Sequence, residues 1–222
     1  MSFAQRPDLV EDDPGFPASL HIPAAILLAA IWAAWLWHWG EGQSDWGVSG
    51  AAMAQGRYEN LVLHMFAHAG LIHIGFNSAV LFSLAGPMLS WMGAFPGNWL
   101  RFFALYFLSG LAGAGLFLLF NPDGMVPMVG ASGAISGLIG LVSRLSPGNR
   151  ALIPLFSRSM FRRVWDFTKA NLVLILLFTV PIFLMGGSGG IAWEAHLGGF
   201  LVGILGAPLV LADAKQVEPL HD

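Results

Sequence analysis

Six stretches of the chain are apolar over lengths that suit membrane-crossing helices, and shorter polar segments separate them. A helix needs about 20 mostly apolar residues to cross the hydrocarbon core of a bilayer. The first candidate runs from Ile22 to Trp39 and ends in tryptophans, which anchor at membrane interfaces. The second runs from Leu71 to Trp91 and the third from Arg101 to Phe120. A fourth, short and glycine-rich, spans about Met128 to Val142. The fifth spans about Asn171 to Met185, and the sixth Ile191 to Ala212. No internal repeat relates them. The pattern predicts an all-α, polytopic membrane protein with six transmembrane helices. Residues 21–212 form its core, 1–20 a cytoplasmic N-terminal segment and 213–222 a cytoplasmic tail. No room is left for a separate soluble domain.

Composition supports this reading. Hydrophobic residues make up 56% of the 222 positions, charged residues only 10%, and the mean hydropathy is +0.68. Soluble domains carry about 25% charged residues. The net charge of -3 gives no reason to expect a nucleic-acid partner. There is no cysteine, hence no disulfide, thiolate nucleophile or cysteine metal site. The first twenty residues hold one arginine and four acids, unlike a secretory signal or an Arg-rich transit peptide.

Basic residues set the expected orientation. With both termini cytoplasmic, Arg6, Arg101, Arg144, Arg150, Arg158, Arg162, Arg163, Lys169 and Lys215 lie inside and only Arg57 outside, nine of the ten cations. That bias also favours an even number of spans. A bacterial inner (cell) membrane is the expected location.

Polar side chains at membrane depth are costly and mark the bundle interior or a wet cavity. The second span carries His73 and Asn77, the fourth Ser132, and the sixth His196. Taken alone, Ser132 in "GASGAISG" reads as a helix-packing serine beside the GxxxG pair Gly133 and Gly137. His196 alone reads equally well as a buried histidine bonded to a carbonyl. Together they say more. His196, Gly199 and Gly203 share one helical face. A glycine-to-glycine crossing of the fourth and sixth spans would bring the histidine to the serine, which needs a base to become a nucleophile. His73 and Asn77, four residues apart, share a face and can donate hydrogen bonds while neutral. They serve either as interhelical polar contacts or as donors to an oxyanion. His64 and His68 also stand four apart, but no HExxH occurs and no acid lies near them in a span, so no metal site is expected.

With these residues in view, the chain resembles the rhomboid intramembrane serine proteases. The likeness rests on "HAGLIHIGFN", "GASGAISG" and "AHLGGFLVG", in the family's order. It implies a Ser-His dyad of Ser132 and His196 without an aspartate. It also implies an oxyanion hole formed by His73, Asn77 and the Ser132 backbone N–H, and a neighbouring role for His68. No cofactor is implied. The expected partners are membrane lipid and transmembrane protein substrates whose helices unwind easily and present a small residue before the cut. Nothing indicates an oligomeric state. Two positions depart from the family pattern. Glu59-Asn60 stands where Trp-Arg is common, in a loop that lies flat in the membrane in the family. Ser136 replaces an aromatic residue that stacks on the histidine, so stacking cannot hold the ring, though a hydroxyl hydrogen bond could.

The function expected is an intramembrane serine endopeptidase opening to the outer aqueous side, with the glycine run Gly186 to Gly190 as a flexible cap. Two other readings stay open. One is an inactive rhomboid-like protein that binds transmembrane clients. The other is a small transporter, for which the chain lacks repeats and charged residues along a central path.

Overall fold

The structure, a computed structural model, describes residues 16–38, 43–147, 151–186 and 189–212. The parts of the terminal segments at 1–15 and 213–222 lie outside them, as do Arg6, Arg150 and Lys215, and so does the middle of the expected glycine cap at 187–188.

The described chain is helical, and its only β pairing is two isolated bridges, Val48 with Met128 and Leu145 with Leu152. A short 3₁₀ turn leads into α1, Ile22–Trp37. A loop follows with two short helices, α2 (Gly50–Ala54) and α3 (Asn60–Leu63). Next come α4 (Leu71–Trp91), α5 (Gly97–Phe120) and α6 (Ser132–Ser143). α7 (Arg158–Leu174) continues through a π-helical turn, Ile175–Thr179, into α8 (Val180–Leu184), and α9 (Trp193–Val210) closes the bundle. Five of these segments are long and apolar enough to cross a membrane, while α6 has only 12 residues. The chain is thus a polytopic helical membrane protein, with the fourth expected span short and interior.

Several expected boundaries move: α5 begins at Gly97 rather than Arg101, α6 at Ser132 rather than about Met128, and the fifth span moves most. The fifth span, placed at Asn171 to Met185, belongs to a continuous helical segment, Arg158–Leu184. Its first half holds Arg158, Arg162, Arg163, Asp166 and Lys169, which a hydropathy reading excludes. These charges are compatible with a helix because α7 is amphipathic there. Ser157 opens it by accepting from the Met160 N–H at 3.1 Å, a side-chain cap that satisfies an orphan donor.

The centre of the bundle is α5, α6 and α9 in mutual contact. In a bilayer the hydrophobic effect does not press helices together, so close backbone packing does the work. A Cβ on Gly199 would strike the Gly133 carbonyl oxygen, and one on Gly203 the Gly137 carbonyl oxygen. On the other side of α9, a Cβ on Gly198 would lie 2.7 Å from the Ala112 oxygen of α5, and one on Gly113 of α5 2.7 Å from the Ala195 oxygen. The stripes Gly133/Gly137 and Gly199/Gly203 therefore meet, as their spacing predicts. α6 is enclosed, with Ala134, Leu138 and Leu141 fully buried. Leu108, Leu119, Leu172, Leu177, Leu205 and Leu209 are exposed on the outside, where lipid tails would solvate them.

Candidate active site

Ser132 is the first residue of α6. The segment before it is held extended by two bonds between Val48 and Met128, at 2.9 and 2.8 Å, and by the Gly130 N–H donating to the His64 carbonyl at 2.9 Å. The chain then turns into the helix through Gly130, whose φ of 123° suits a residue without a Cβ. The first N–H groups of a helix have no partner inside it, and the macrodipole makes that end attractive to negative charge. Ser132 thus stands where a hydroxyl and free backbone donors meet.

His196 sits in the first turn of α9 and is 5% exposed. The glycine crossing brings it to α6, and its Nε2 lies 2.8 Å from Ser132 Oγ. Its other ring nitrogen, Nδ1, bonds Asn171 Oδ1 on α7. Both nitrogens are engaged, by Ser132 and Asn171, so the ring is not held by the Ser136 hydroxyl. Ser136 lies buried one turn below Ser132.

His73 and Asn77, on the inner face of α4, approach the same place. A Cβ on Gly130 would meet His73 Nε2 at 2.7 Å and Asn77 Nδ2 at 3.7 Å, so both nitrogens converge on the backbone just ahead of Ser132. His73 Nδ1 accepts from the Ala69 N–H at 3.4 Å, which leaves the ring proton on Nε2. Asn77 Nδ2 is buried and has no protein partner among the described residues. An unpaired buried donor is costly and calls for an explanation. A transient negative charge is one such partner.

A cavity of about 1320 Å³ runs from Ser132 and His196 past His73 and Asn77 to Met125, Val126 and Gly190. A second, of about 370 Å³, shares Ser132, His196 and Asn77 and passes between Phe76 and Val80 of α4 and Asn171 and Leu174 of α7. The site is thus reached both from the loop end of the bundle and from its side.

A family model described as the Rhomboid domain matches residues 55–213. The chain belongs to the rhomboid family. It is 26% identical over 155 residues to "Rhomboid protease GluP" of Bacillus subtilis, a match covering 70% of this chain and 26% of that protein. It is 34% identical over 145 residues to "Rhomboid protein 1, mitochondrial" of Saccharomyces cerevisiae, covering 63% and 38%. It is 27% identical over 151 residues to "Rhomboid-type serine protease 2" of Emericella nidulans, covering 68% and 26%. The match thus spans between about a quarter and two-fifths of the length of these relatives.

The loop ahead of α4 in this rhomboid is anchored at the position where the sequence departs from the family pattern. Asn60 is buried, and its Nδ2 donates to the carbonyls of Asp45 and Gly47, both at 2.8 Å. Glu59 caps α3. Two buried histidines complete the loop. His64 Nδ1 pairs with the Asn60 carbonyl at 3.0 Å. His68 packs edge-on against His73, with ring centroids 5.0 Å apart. Burial pushes His64 down to about 4, and burial together with the His73 ring pushes His68 down to about 3, so both are uncharged at neutral pH.

Sequence reasoning missed two residues. In the sequence Asn60 shows only as a departure from the family pattern. Asn171 stands at the start of the fifth span with no role readable there. The one available signal is an amide at the head of an apolar run, "NLVLILLF". Its partner stands 25 positions away.

Proposed function

We propose that this rhomboid is an intramembrane serine endopeptidase in which Ser132 is the nucleophile and His196 the general base. The observation that carries the reading is the 2.8 Å contact between Ser132 Oγ and His196 Nε2 beside two converging donors. The names of two relatives, one a rhomboid protease and the other a rhomboid-type serine protease, support it.

The geometry supports hydrolysis through an acyl-enzyme. Ser132 Oγ attacks the carbonyl carbon of the scissile peptide bond while its proton passes to His196 Nε2. The carbonyl oxygen becomes an oxyanion. In this reading His73 Nε2–H, Asn77 Nδ2–H and the Ser132 backbone N–H receive it, and one such pre-positioned donor is worth about 2.7–4 kcal/mol. The tetrahedral intermediate collapses, and the C–N bond breaks as the imidazolium gives its proton to the leaving amine. An acyl ester remains on Ser132. Water then attacks the ester with His196 again taking the proton, and the acid product leaves with the serine restored. Water enters from the loop end, through the larger cavity. A transmembrane segment of a client protein reaches Ser132 through the apolar passage between α4 and α7.

The orientation proposed puts both termini in the cytoplasm. Arg144 follows the last residue of α6, some 12 residues and therefore about 18 Å along the helix from Ser132. Arg101, Arg144 and Arg163 all lie at that far end, where Arg163 Nη1 donates to the carbonyls of Val142 and Ser143 at 3.3 Å each. The site end then faces the outer aqueous side.

The test is incubation of the purified protein with a model transmembrane substrate, wild type beside Ser132→Ala, together with labelling by a serine-reactive fluorophosphonate. Cleavage and labelling that both depend on Ser132 are expected. A folded wild type that neither cleaves nor labels would point to a rhomboid that holds client helices without cutting them.

A further inference from the structure

Asn171 is a further polar group lining the site, and it touches the base rather than the reacting atoms. Its Nδ2 donates to the Phe167 carbonyl one turn earlier at 3.0 Å. That bond fixes the orientation of the amide, because the nitrogen faces its own helix and the oxygen faces α9. An amide oxygen can only accept. His196 Nδ1, which bonds this oxygen, must therefore carry the ring proton. A neutral imidazole has one such proton, so Nε2 is left with its lone pair, and Nε2 is the nitrogen facing Ser132 Oγ. The tautomer needed by a general base is thus selected by a residue on α7.

We propose that Asn171 is a positioning residue for His196, and that the site operates as a line of three groups, Ser132–His196–Asn171, rather than as a dyad. The inference rests on the proteolytic reading above. α6 offers nothing equivalent. The residue one turn beyond Ser132 is the small Ser136, which leaves the ring unclamped on that side.

The rest of α7 is built to deliver the amide. Arg163, Phe167 and Asn171 are spaced by four and share one face. Arg163 holds the end of α6 through two carbonyls. The Phe167 ring stacks on Phe200 of α9 with centroids 3.8 Å apart and planes 6° from parallel. Asn171 is the third contact on that face. A neutral amide orients the ring and selects its tautomer without adding a charge that would stabilise the imidazolium.

The test compares wild type, Asn171→Ala and Asn171→Asp in detergent with a transmembrane substrate. Among the described residues, other charged or titratable groups near the ring are few. His73 lies on α4, and His64 and His68 line the same larger cavity. Arg163 and Asp166 on α7 line the smaller one, with Asp166 paired to Lys169 at 2.8 Å. On α9 itself, Glu194 accepts from Asn121 Nδ2 at 3.2 Å. Alanine should lower kcat about tenfold or more with KM little changed, because the wrong tautomer is no longer excluded. Aspartate should retain the orientation and move the acid limb of kcat/KM to higher pH, since a carboxylate beside the ring favours its protonated form. Nitrogen-15 NMR of the resting enzyme should show the Nδ1–H tautomer of His196 in wild type and a mixture in Asn171→Ala. Wild-type kcat, pH profile and tautomer in a folded alanine variant would overturn the inference. Should alanine fail to fold, the acid limb of Asn171→Asp decides, and an unmoved limb rejects the role. A wild type that does not cleave would instead defeat the proteolytic reading, and the tautomer comparison would still test the contact.

Discussion

Ser132 Oγ lies 2.8 Å from His196 Nε2 across 64 positions of sequence, and the two residues belong to helices whose backbones touch. Groups that act as one unit lose their effect together. Ser132→Ala or His196→Ala should each remove nearly all cleavage, and the double variant should be little worse than either. Rates for the four proteins on one substrate check this. Losses that multiply in the double variant would mean that the residues work separately.

The donors on α4 make a separate expectation. Asn77→Ala removes an N–H that has no other protein partner among the described residues, so the folded ground state loses no bond. Cleavage should nevertheless fall by about 100- to 1000-fold in kcat, the range for a lost oxyanion donor. Gly130→Ala should be as damaging by a different route, since its methyl group would press into the His73 ring at a φ of 123°. Thermal melts beside the kinetics separate the two. Asn77→Ala should melt close to wild type, and Gly130→Ala should melt lower.

Along α9 the glycines divide into two kinds. Gly199→Ala or Gly199→Val pushes a carbon into the Gly133 carbonyl and should cost both activity and thermal stability. A displacement of about 1 Å at the catalytic groups can cost about 100-fold in rate. Gly206 has nothing within 4 Å of an added Cβ. Gly206→Ala should keep full activity and gain up to about 1 kcal/mol from helix propensity. Equal behaviour of Gly199→Ala and Gly206→Ala would remove the glycine contact as the determinant of the site.

Acidity should act on rate and on stability in the same direction. An imidazolium cannot accept the serine proton, so kcat/KM should fall as pH drops and stay flat through neutrality. His64 and His68 add a folding effect. Both are held below the ordinary value of 6.5 by burial, at about 4 and about 3. The unfolded chain therefore binds protons below about 6.5 that the folded chain refuses, and stability declines from there toward about pH 3. Melting temperatures across the series, by circular dichroism, should fall below about pH 6.5. Rates are then compared at a temperature where every sample remains folded. A rate that rises toward low pH in folded protein would exclude His196 as the base.

Much of this arrangement is legible in the sequence because a bilayer simplifies the code. Apolar runs give the spans, and α4 begins and ends where Leu71 and Trp91 predict. The glycine stripes predict the α6–α9 contact, since little besides close backbone approach explains glycine every fourth residue in a span. The start of α7 is not legible, because its first turns carry charge on an amphipathic helix and fail a test of mean apolarity. The partner of Asn171 is not legible either. Its spacing from Arg163 and Phe167 defines a face, but which helix that face meets depends on how α7 leans on the bundle. The hold of Asn60 on Asp45 and Gly47 is hidden for a similar reason, as it bonds backbone carbonyls that have no signature in the residue types.

The glycine crossing also determines which parts of the molecule are free to change. Where Gly199 and Gly203 meet Gly133 and Gly137, the specification is an absence of atoms, and such a joint has no rotamers with which to accommodate an insertion. It is closed or it is wedged apart. The outward leucines are under the opposite regime, because lipid solvates one aliphatic side chain much as it does another. The perimeter can therefore be retuned to a thicker or thinner bilayer by exchanging apolar residues, while the distance from hydroxyl to imidazole stays locked to the backbone.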